Sequence, residues 1–371
     1  MAIKLQFGII GLGQSGKTTV FNALSGSSAS VGDYSSSKTP NIAMVKIPEP
    51  RVDHLAELFK AKTNKYGEIE FIDIAGMAGK GAADRKELAG KLDDIGYVHA
   101  VRMAQALLIV VRCFDDANIP HPDGSVDPTR DIAGIESEMM LVDLIQIEKR
   151  IEKLDHMLKV RPTEDNKREL ALMQKMKAHL EDDHPLREFE FAKDDNQILG
   201  SFRFLSQKPA LYLLNIDENH LGKTQEIEQK YFPKVGTNMA VASLCGKIEM
   251  EIAALDPADR DEFLRDLGLD KQASERVIRK AFDLLGYITF LTVGEPESRA
   301  WPIPDGYTAY DAAGEIHTDI QRGFIKAETI HYNDLSALGD WNAAKKAGKL
   351  RLEGKEYLVK DGDVMLFRFN V

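Results

Sequence analysis

Short apolar runs separated by amphipathic segments occupy the chain before Pro128 and again after Pro209. The runs are nearly continuous in hydrophobicity, which is typical of strands buried on both faces of a parallel sheet. The segments between them, such as Arg51 to Phe59, carry apolar residues at helical spacing. Strands that alternate with helices predict an α/β fold with a mostly parallel, doubly wound sheet. The predicted strands cover residues 5–10, 42–47, 70–73, 104–114, 209–218 and, with the loop that follows it, 240–247.

Near Pro128 the pattern changes to a long stretch of helical period. Apolar residues spaced alternately three and four apart mark one face of a long helix. Arg161 to Asn166 interrupts this pattern, and a second helical pattern follows. We therefore expect an antiparallel coiled-coil arm over residues 129–200, inserted into an α/β domain formed by residues 1–128 and 201–283. The face of the first helix is Leu144, Ile147, Ile151, Leu154 and Leu158, and that of the second is Leu170, Met173 and Leu180.

The composition changes again from about Leu285, where short strand patterns replace the long helical ones. Tyr287 to Val293 and Val364 to Val371 bracket this segment, with turns expected at Gly306 and Gly362. We predict a third domain, a compact α+β domain over residues 284–371. Its ten Lys/Arg and thirteen Asp/Glu nearly balance, and it carries no motif for chemistry. A contact module for protein or RNA is expected.

The first predicted strand ends at a glycine-rich turn. Gly11-xxxx-Gly16-Lys17-Thr18 has the pattern of a phosphate-binding P-loop followed by a helix. Backbone N–H groups in such a loop close around a polyphosphate, and the helix N-terminus favours its negative charge. Lys17 is expected to reach the β- and γ-phosphates as a catalytic charge, and the Thr18 hydroxyl to ligate Mg²⁺. The predicted nucleotide-binding residues of the loop are Gly11, Gly13, Gln14, Ser15, Gly16, Lys17, Thr18 and Thr19.

The same glycines also fit a dinucleotide-binding fingerprint. Gly11-x-Gly13-x-x-Gly16 would be followed by an acidic residue after a second strand, and Asp33 lies at about that distance. Asp33 follows a Ser- and Gly-rich stretch with loop composition, however. A dinucleotide loop also has no use for Lys17-Thr18 after its third glycine. The P-loop is the preferred interpretation, and an NAD-linked oxidoreductase is the alternative.

A second phosphate-sensing motif follows the third predicted strand. Asp73 is expected to hold Mg²⁺ through water. The Gly76 N–H is expected to contact the γ-phosphate and, with Lys17, to take part in catalysis. Thr39, in the Ser-rich loop, is a candidate third Mg²⁺ ligand. Met77 stands where Ras-type enzymes place the Gln that orients the attacking water. Intrinsic hydrolysis is therefore predicted at or below roughly 10⁻⁴ to 10⁻² s⁻¹.

Asn215-x-x-Glu218, at the end of the next-to-last strand, predicts recognition of the base. P-loop GTPases usually carry Asn-Lys-x-Asp here, and the Asp accepts hydrogen bonds from guanine. The longer Glu218 side chain should crowd the guanine 2-amino group, which adenine lacks. Buried polar groups left unpaired are costly, so ATP is expected to bind better than GTP. The backbone of Cys245 and Gly246 is expected to lie against the nucleotide ring.

Charge and cysteine content limit the remaining classes. The net charge of −11 argues against bulk attachment to DNA or to an anionic membrane, although basic residues cluster at the predicted tip of the arm. Two cysteines predict no disulfide framework and no metal cluster, which fits a reducing compartment. The first residues lack the apolar length of a signal sequence, and the chain has no run of 18 apolar residues, so we expect neither a signal sequence nor a membrane-spanning segment. We expect a cytoplasmic monomer.

With these motifs the chain resembles the YchF/Obg-like ATPase family over nearly its whole length. The resemblance implies a nucleotide-binding domain interrupted by a coiled-coil arm, a C-terminal TGS domain, ATP preference, and the ribosome or ribosomal RNA as partner. Its most specific parts are Val110-Val-Arg-Cys-Phe114, Asn215-Ile-Asp-Glu218 and Ile248-Glu249…Glu251-Ile-Ala-Ala-Leu255. The C-terminal segment matches most closely, in Arg299-Ala-Trp301, Ile316-His-Thr-Asp319, Gly323-Phe-Ile-Lys-Ala-Glu328 and Asp361-Gly-Asp-Val-Met365.

The chain departs from this family in its P-loop, where Gly13 and Gln14 replace Pro-Asn. Related enzymes use that Asn to help hold an activating K⁺, so K⁺ stays an open question as a cofactor beside Mg²⁺. Two functions follow from the sequence. The first is a slow, Mg²⁺-dependent ATPase that acts as a ribosome-associated switch. The alternative is an ATP-binding switch or scaffold with little or no turnover.

Overall fold

The computed structural model describes residues 5–26, 41–73, 101–192, 194–200 and 202–370. The chain divides into two compact units, each built from separate stretches of sequence. We call Gln6–Ala43 with Phe71–Lys280 the P-loop unit, and Met1–Leu5, Met44–Glu70 and Ala281–Val371 the C-terminal unit. The sequence-based boundaries kept residues 44–70 with the P-loop domain, and the observed division differs from them at this point.

The P-loop sheet has six strands in the order β2-β4-β1-β5-β6-β7. β1 pairs with β5, β5 with β6 and β6 with β7, all in parallel. A dinucleotide-binding sheet has the order 3-2-1-4-5-6, which places the second strand beside the first. Here β4 takes that place, so the topology argues against the NAD-linked alternative. The strands are β1 (Leu5–Ile10), β2 (Asn41–Lys46), β4 (Glu68–Asp73), β5 (Ala106–Cys113), β6 (Ala210–Ile216) and β7 (Met239–Leu244).

The central strands are buried on both faces, as their composition predicts. Every residue of β6 and nearly every residue of β5 is buried. Their side chains join one apolar cluster with residues of the first helix after β5, including Ile135 and Met139. Apart from the two long helices of the arm, the helices and 3₁₀ turns of this unit are α1 (Lys17–Ser25), Leu186–Glu188, α5 (Asp195–Leu199), Glu218–Lys223, α6 (Thr224–Tyr231), α7 (Gly246–Ala254), α8 (Pro257–Asp266) and α9 (Ala273–Leu284), whose last residues belong to the C-terminal unit.

The arm consists of α3 (Pro128–Val160) and α4 (Glu164–Glu181), which pack against each other. The Thr163 side chain accepts a hydrogen bond from the Asn166 N–H and so caps α4. Arg150 joins the two helices through two hydrogen bonds to Glu169, at 2.7 and 2.8 Å. The apolar cluster between the helices includes Ile147, Leu154, Leu172, Met173, Met176 and Leu180, with Leu144, Ile151 and Leu170 partly buried beside it.

The C-terminal unit contains a second six-stranded sheet, in the order β11-β10-β12-β8-β9-β3. Two apolar clusters pack on this unit's strands, and one of them includes Val52 and Leu55 of α2. None of the helices formed by the described residues combines the length and hydrophobicity needed to cross a bilayer. The elements are α2 (Pro50–Phe59), β3 (Thr63–Lys65), β8 (Tyr287–Val293), β9 (Glu297–Pro304), α10 (Ala309–Ile316), α11 (Thr318–Arg322), β10 (Phe324–His331), α12 (Tyr332–Leu338), α13 (Trp341–Lys346), β11 (Arg351–Glu353) and β12 (Asp363–Phe369).

Candidate nucleotide-binding site

The loop between β1 and α1 has backbone geometry that requires glycine at two positions. Gly11 has φ 151°, and a Cβ there would lie 2.4 Å from the Val110 carbonyl oxygen. Gly16 has φ 90°, and its Cβ would lie 2.3 Å from Asn215 Nδ2. A Cβ at Gly11 would push against the backbone of β5, and one at Gly16 would displace the Asn215 amide. The loop is therefore tightly curved and closely packed against β5 and β6.

Lys17 is nearly fully buried at the start of α1. Its Nζ donates to the carbonyl oxygens of Gly11, at 3.1 Å, and Leu12, at 2.7 Å, so the ammonium lies inside the curve of the loop. Burial lowers the pKa of Lys17 to about 8, although the nearby Asp73 carboxylate acts in the opposite direction. A buried cation of this kind is suited to an anionic ligand that enters the loop.

Thr18 and Asp73 bring two oxygen ligands together next to Lys17. The Thr18 hydroxyl donates to Asp73 Oδ2 at 3.0 Å, and both side chains are buried. Hydroxyl and carboxylate oxygens are ligands that Mg²⁺ accepts in phosphate sites, so this pair fits the ion. The other sequence-based candidates, Thr39 and Gly76, lie outside the described residues, as does Met77.

A second group of candidate metal ligands lies in the loop between β5 and α3 and in the first turn of α3. His121, Asp123 and Asp131 can bring one ligand atom each within 4.8 Å of one another. Asp131 already accepts from the Arg130 guanidinium, at 2.8 and 3.1 Å, and lies 2.9 Å from His121 Nε2. The Asp123 N–H donates to His121 Nδ1 at 3.1 Å. The Arg130 cation therefore balances the buried Asp131 carboxylate, which leaves Thr18 and Asp73 as the better metal ligands.

Asn215 connects the P-loop to the loop after β7. Its Nδ2 donates to the Ser15 carbonyl oxygen at 3.0 Å, and its Oδ1 accepts from the Gly246 N–H at 3.0 Å. Both ends of the buried amide are thus used. Cys245, the residue before Gly246, is buried, and burial raises the pKa of its thiol, which keeps it neutral. Asn215 therefore fixes the distance between the phosphate end and the base end of the site.

Glu218 lies at the other end of the site, at the start of a 3₁₀ turn after β6. Its side chain is exposed, and Oε1 lies 2.6 Å from Nζ of Lys247 on α7. The hydrogen bond from Lys247 to Glu218 raises the pKa of the ammonium. Glu218, the carboxylate predicted to recognise the base, is therefore paired with Lys247, which was not predicted as a site residue.

These groups surround one pocket of about 750 Å³. Its size and mixed polar and apolar lining are typical of a small-molecule site. Five of the site residues predicted from the sequence do not line it, namely Gly11, Gly13, Ser15, Gly246 and Asp73. Those that do are Gln14, Gly16, Lys17, Thr18, Thr19, Asn215, Glu218 and Cys245.

The wall of the pocket formed by the loop after β5 was not predicted from the sequence. The missed residues there are Phe114, Asp115, Asp116, Asn118 and Ile119, and Lys247 and Met250 were missed on α7. The buried Arg112 shapes the wall, since it donates to the carbonyl oxygens of Phe114, at 3.1 Å, and Ile119, at 2.8 Å. Ligands of open parallel sheets bind beyond the carboxyl ends of the strands. Applied to the predicted strand 104–114, that rule would have found this loop.

Three features define a P-loop nucleotide-binding protein of the GTPase fold. They are the P-loop after β1, the Thr18–Asp73 pair, and the base-side loops after β5, β6 and β7. The chain belongs to the YchF family. It is 38% identical to the ribosome-binding ATPase YchF of Bacillus subtilis (strain 168) over 371 residues, which are 99% of this chain and 100% of that protein. It is 40% identical to the protein of the same name from Haemophilus influenzae over 371 residues, with 98% and 99% covered.

The other comparisons agree with this assignment. A family model described as 50S ribosome-binding GTPase matches residues 6–175. A second model, YchF-GTPase_C, described as a protein of unknown function (DUF933), matches residues 287–370. The solved structure of the Schizosaccharomyces pombe YchF GTPase superposes with a TM-score of 0.81 at 29% identity, covering 99% of this chain and 98% of that one. The resemblance and the fold class inferred from the sequence are thus confirmed.

Proposed function

We propose that the protein binds ATP in preference to GTP and hydrolyses it slowly with Mg²⁺, acting as a ribosome-associated switch in the cytoplasm. The observation that carries this proposal is the amide of Asn215. This amide is hydrogen-bonded to both Ser15 and Gly246. It therefore sets the distance between the buried Lys17 ammonium and the Glu218 carboxylate, which line the same pocket. This spacing suits a nucleoside triphosphate, whose charge and base lie at opposite ends.

Each side chain has a role that follows from its surroundings. Lys17 binds the β- and γ-phosphates and offsets the charge that develops during phosphoryl transfer. Thr18 and Asp73, with Thr39 as a third candidate, would hold Mg²⁺, which supplies further charge neutralisation at the phosphates when bound. The Gly76 N–H is the proposed γ-phosphate contact. Turnover is slow because Met77 cannot orient a water molecule by hydrogen bonding.

The preference for ATP rests on Glu218, which is one methylene longer than the aspartate of guanine-specific sites. The relatives' names support an ATPase that binds the ribosome, and the family model is described as a ribosome-binding GTPase. The ribosome is therefore the proposed partner, with the arm and the C-terminal unit as the surfaces available for contact. We propose that residues 129–200 act as an arm inserted in the nucleotide-binding domain and that the protein works as a monomer.

Equilibrium titration of ATP and GTP, with phosphate release measured with and without Mg²⁺ and ribosomes, tests this proposal. We expect tighter binding of ATP, and a loss of about 100-fold or more for Lys17→Ala because a buried charge-assisted contact is removed. Lys234→Ala, at an exposed lysine outside the arm, the C-terminal unit and the pocket, is the matched control. GTP binding tenfold tighter than ATP would refute the base preference. Phosphate release that survives Lys17→Ala, or never exceeds background with ribosomes, would leave a binding-only switch.

A further inference from the structure

The pairing of Glu218 with Lys247 changes what the base end of the pocket can recognise. Lys247 is the second residue of α7, and it directly follows Gly246, whose N–H is held by Asn215. Its Nζ approaches Glu218 Oε1 to 2.6 Å, and both residues line the pocket. The cation therefore stands at the mouth of the base site, on a backbone that the P-loop itself fixes through Asn215.

We propose that Lys247 is a specificity-determining residue that makes the base site select adenine over guanine. A carboxylate offers two acceptor oxygens, and an ammonium offers three donors and no acceptor. Oε1 already accepts from the Lys247 ammonium, so Oε2 is the more available acceptor of Glu218 for the base. This inference rests on the proposed function, since it concerns which nucleoside triphosphate the same pocket takes.

The edge of adenine matches that pair. Adenine presents one exocyclic amine donor beside the N1 acceptor, so Glu218 accepts from the amine while a second ammonium proton of Lys247 reaches N1. Guanine presents two donors, N1–H and the 2-amino group, beside the O6 acceptor. Lys247 can serve O6 and Glu218 Oε2 can serve N1–H, but the 2-amino group must then share Oε1 with the ammonium. A buried donor whose acceptor is already engaged makes a weaker hydrogen bond, and this weakens GTP binding.

The Glu218–Lys247 pair is exposed, so it can add little to the stability of the fold and still determine which base binds. Both side chains are solvent-exposed, and an exposed ion pair contributes little to stability. A base that enters the pocket covers the pair and removes water from it. Electrostatic interactions strengthen as the local dielectric constant falls, so the arrangement of donors and acceptors acts mainly in the complex.

The test measures affinities of the full-length protein for ATP, GTP and ITP by equilibrium titration. Inosine is guanine's analogue without the 2-amino group, so the unchanged protein should bind ATP and ITP better than GTP. Lys247→Met removes the ammonium and keeps the aliphatic chain. It should lower the ratio of ATP to GTP affinity about tenfold, through weaker ATP binding and stronger GTP binding. Lys247→Ala repeats the test with a smaller side chain in case the thioether changes the packing.

Two further variants complete the design. Lys223→Met removes an exposed lysine at the end of the 3₁₀ turn that begins at Glu218. Lys223 does not line the pocket, so this variant should leave the ratio of ATP to GTP affinity unchanged. Lys247→Met with Glu218→Asp restores a shorter carboxylate with both oxygens free, and it should favour GTP. If both Lys247 variants bind ATP and GTP with the original ratio, the inference is wrong while the proposed function stands. If the unchanged protein binds none of the three nucleotides, the proposed function fails as well.

Discussion

At the scale of single residues, Lys17 is destabilising for the empty protein and useful to the complex for the same reason. Its ammonium is buried, and the pKa falls from the ordinary 10.5 to about 8 because burial disfavours the charge. Between these values the unfolded chain binds more protons than the folded one. The stability of the empty protein should therefore increase as the pH rises through that window.

The affinity for ATP should change with pH in the opposite direction. Bound phosphates favour the ammonium and raise the pKa of Lys17, so binding takes up a proton once the pH exceeds about 8. Affinity is fully present below that pH and should fall by up to about tenfold per unit above it. Titrations of a fluorescent ATP analogue between pH 6.5 and 9.5 measure this. Affinity that stays constant to pH 9.5 would show that Lys17 does not contact the phosphates.

Arg112 offers a second prediction at this scale, because it holds the wall of the pocket from behind. Arg112→Met removes the donors to the carbonyl oxygens of Phe114 and Ile119. Loss of two hydrogen bonds from a charged group should weaken ATP binding about tenfold. Inorganic tripolyphosphate, which lacks a base, is the control ligand and should bind as before. An equal loss for both ligands would indicate general unfolding of the site.

Contiguous motifs explain which residues were predictable from the sequence. Lys17 and Thr18 follow the glycines of their own loop, and Asp73 and Asn215 end apolar runs, so local pattern was sufficient to select them. Phe114 and Ile119 enter the pocket only because β5 lies beside β1 in the sheet. The Lys247–Glu218 contact joins loops 29 positions apart. The loop of Phe114 and Ile119 could be inferred only from its position at the carboxyl end of a predicted strand, and the Lys247–Glu218 contact has no local signature.

At the scale of elements, the arm follows directly from its apolar spacing. Ile147 and Leu154 on α3 meet Met173 and Leu180 on α4, as the three-and-four pattern predicts. The tip is different from its sequence description as a basic cluster. Lys167 pairs with Glu164, and Arg168 lies 3.5 Å from Asp194. Because acidic residues adjoin these cations, the tip carries less net positive charge than the cluster suggests.

Leu154→Ala tests whether the arm is an independent element. Leu154 is fully buried between the helices, so truncation should cost about 2–5 kcal/mol of local stability. Hydrogen exchange should speed up in both arm helices, while ATP affinity stays within about twofold, since distant sites act additively. Met157→Ala, at an exposed position of the same helix, is the control and should change neither quantity. A large loss of ATP affinity in Leu154→Ala would show that the arm and the pocket are coupled.

At the scale of the whole molecule, the composition of the C-terminal unit could not be derived from local patterns. β3 and α2 precede the second sheet by most of the chain's length, yet they are built into it. Thr63 pairs with Glu297, and Ser298 Oγ donates to the Val52 carbonyl oxygen at 2.9 Å. Arg51 donates to Asp361 at 2.7 Å. Strand order along the chain predicts neighbours only where connections are short, and this connection is not.

The packing of α2 and β3 onto residues 281–371 can be tested with fragments of the chain. A fragment of residues 281–371 lacks α2 and β3, so the apolar surface that Val52 and Leu55 cover would be exposed, at about 1.5–3 kcal/mol for each side chain. We expect this fragment to be unstable alone and to gain a higher melting temperature, saturably, when a peptide of residues 44–70 is added. A peptide with Val52→Asp and Leu55→Asp is the matched control and should have no effect, because a charge cannot be buried there without a partner. The opposite result would be a fragment that unfolds cooperatively at high temperature and whose melting temperature neither peptide changes. It would mean that residues 281–371 form a complete core of their own and that residues 44–70 add no stability to it.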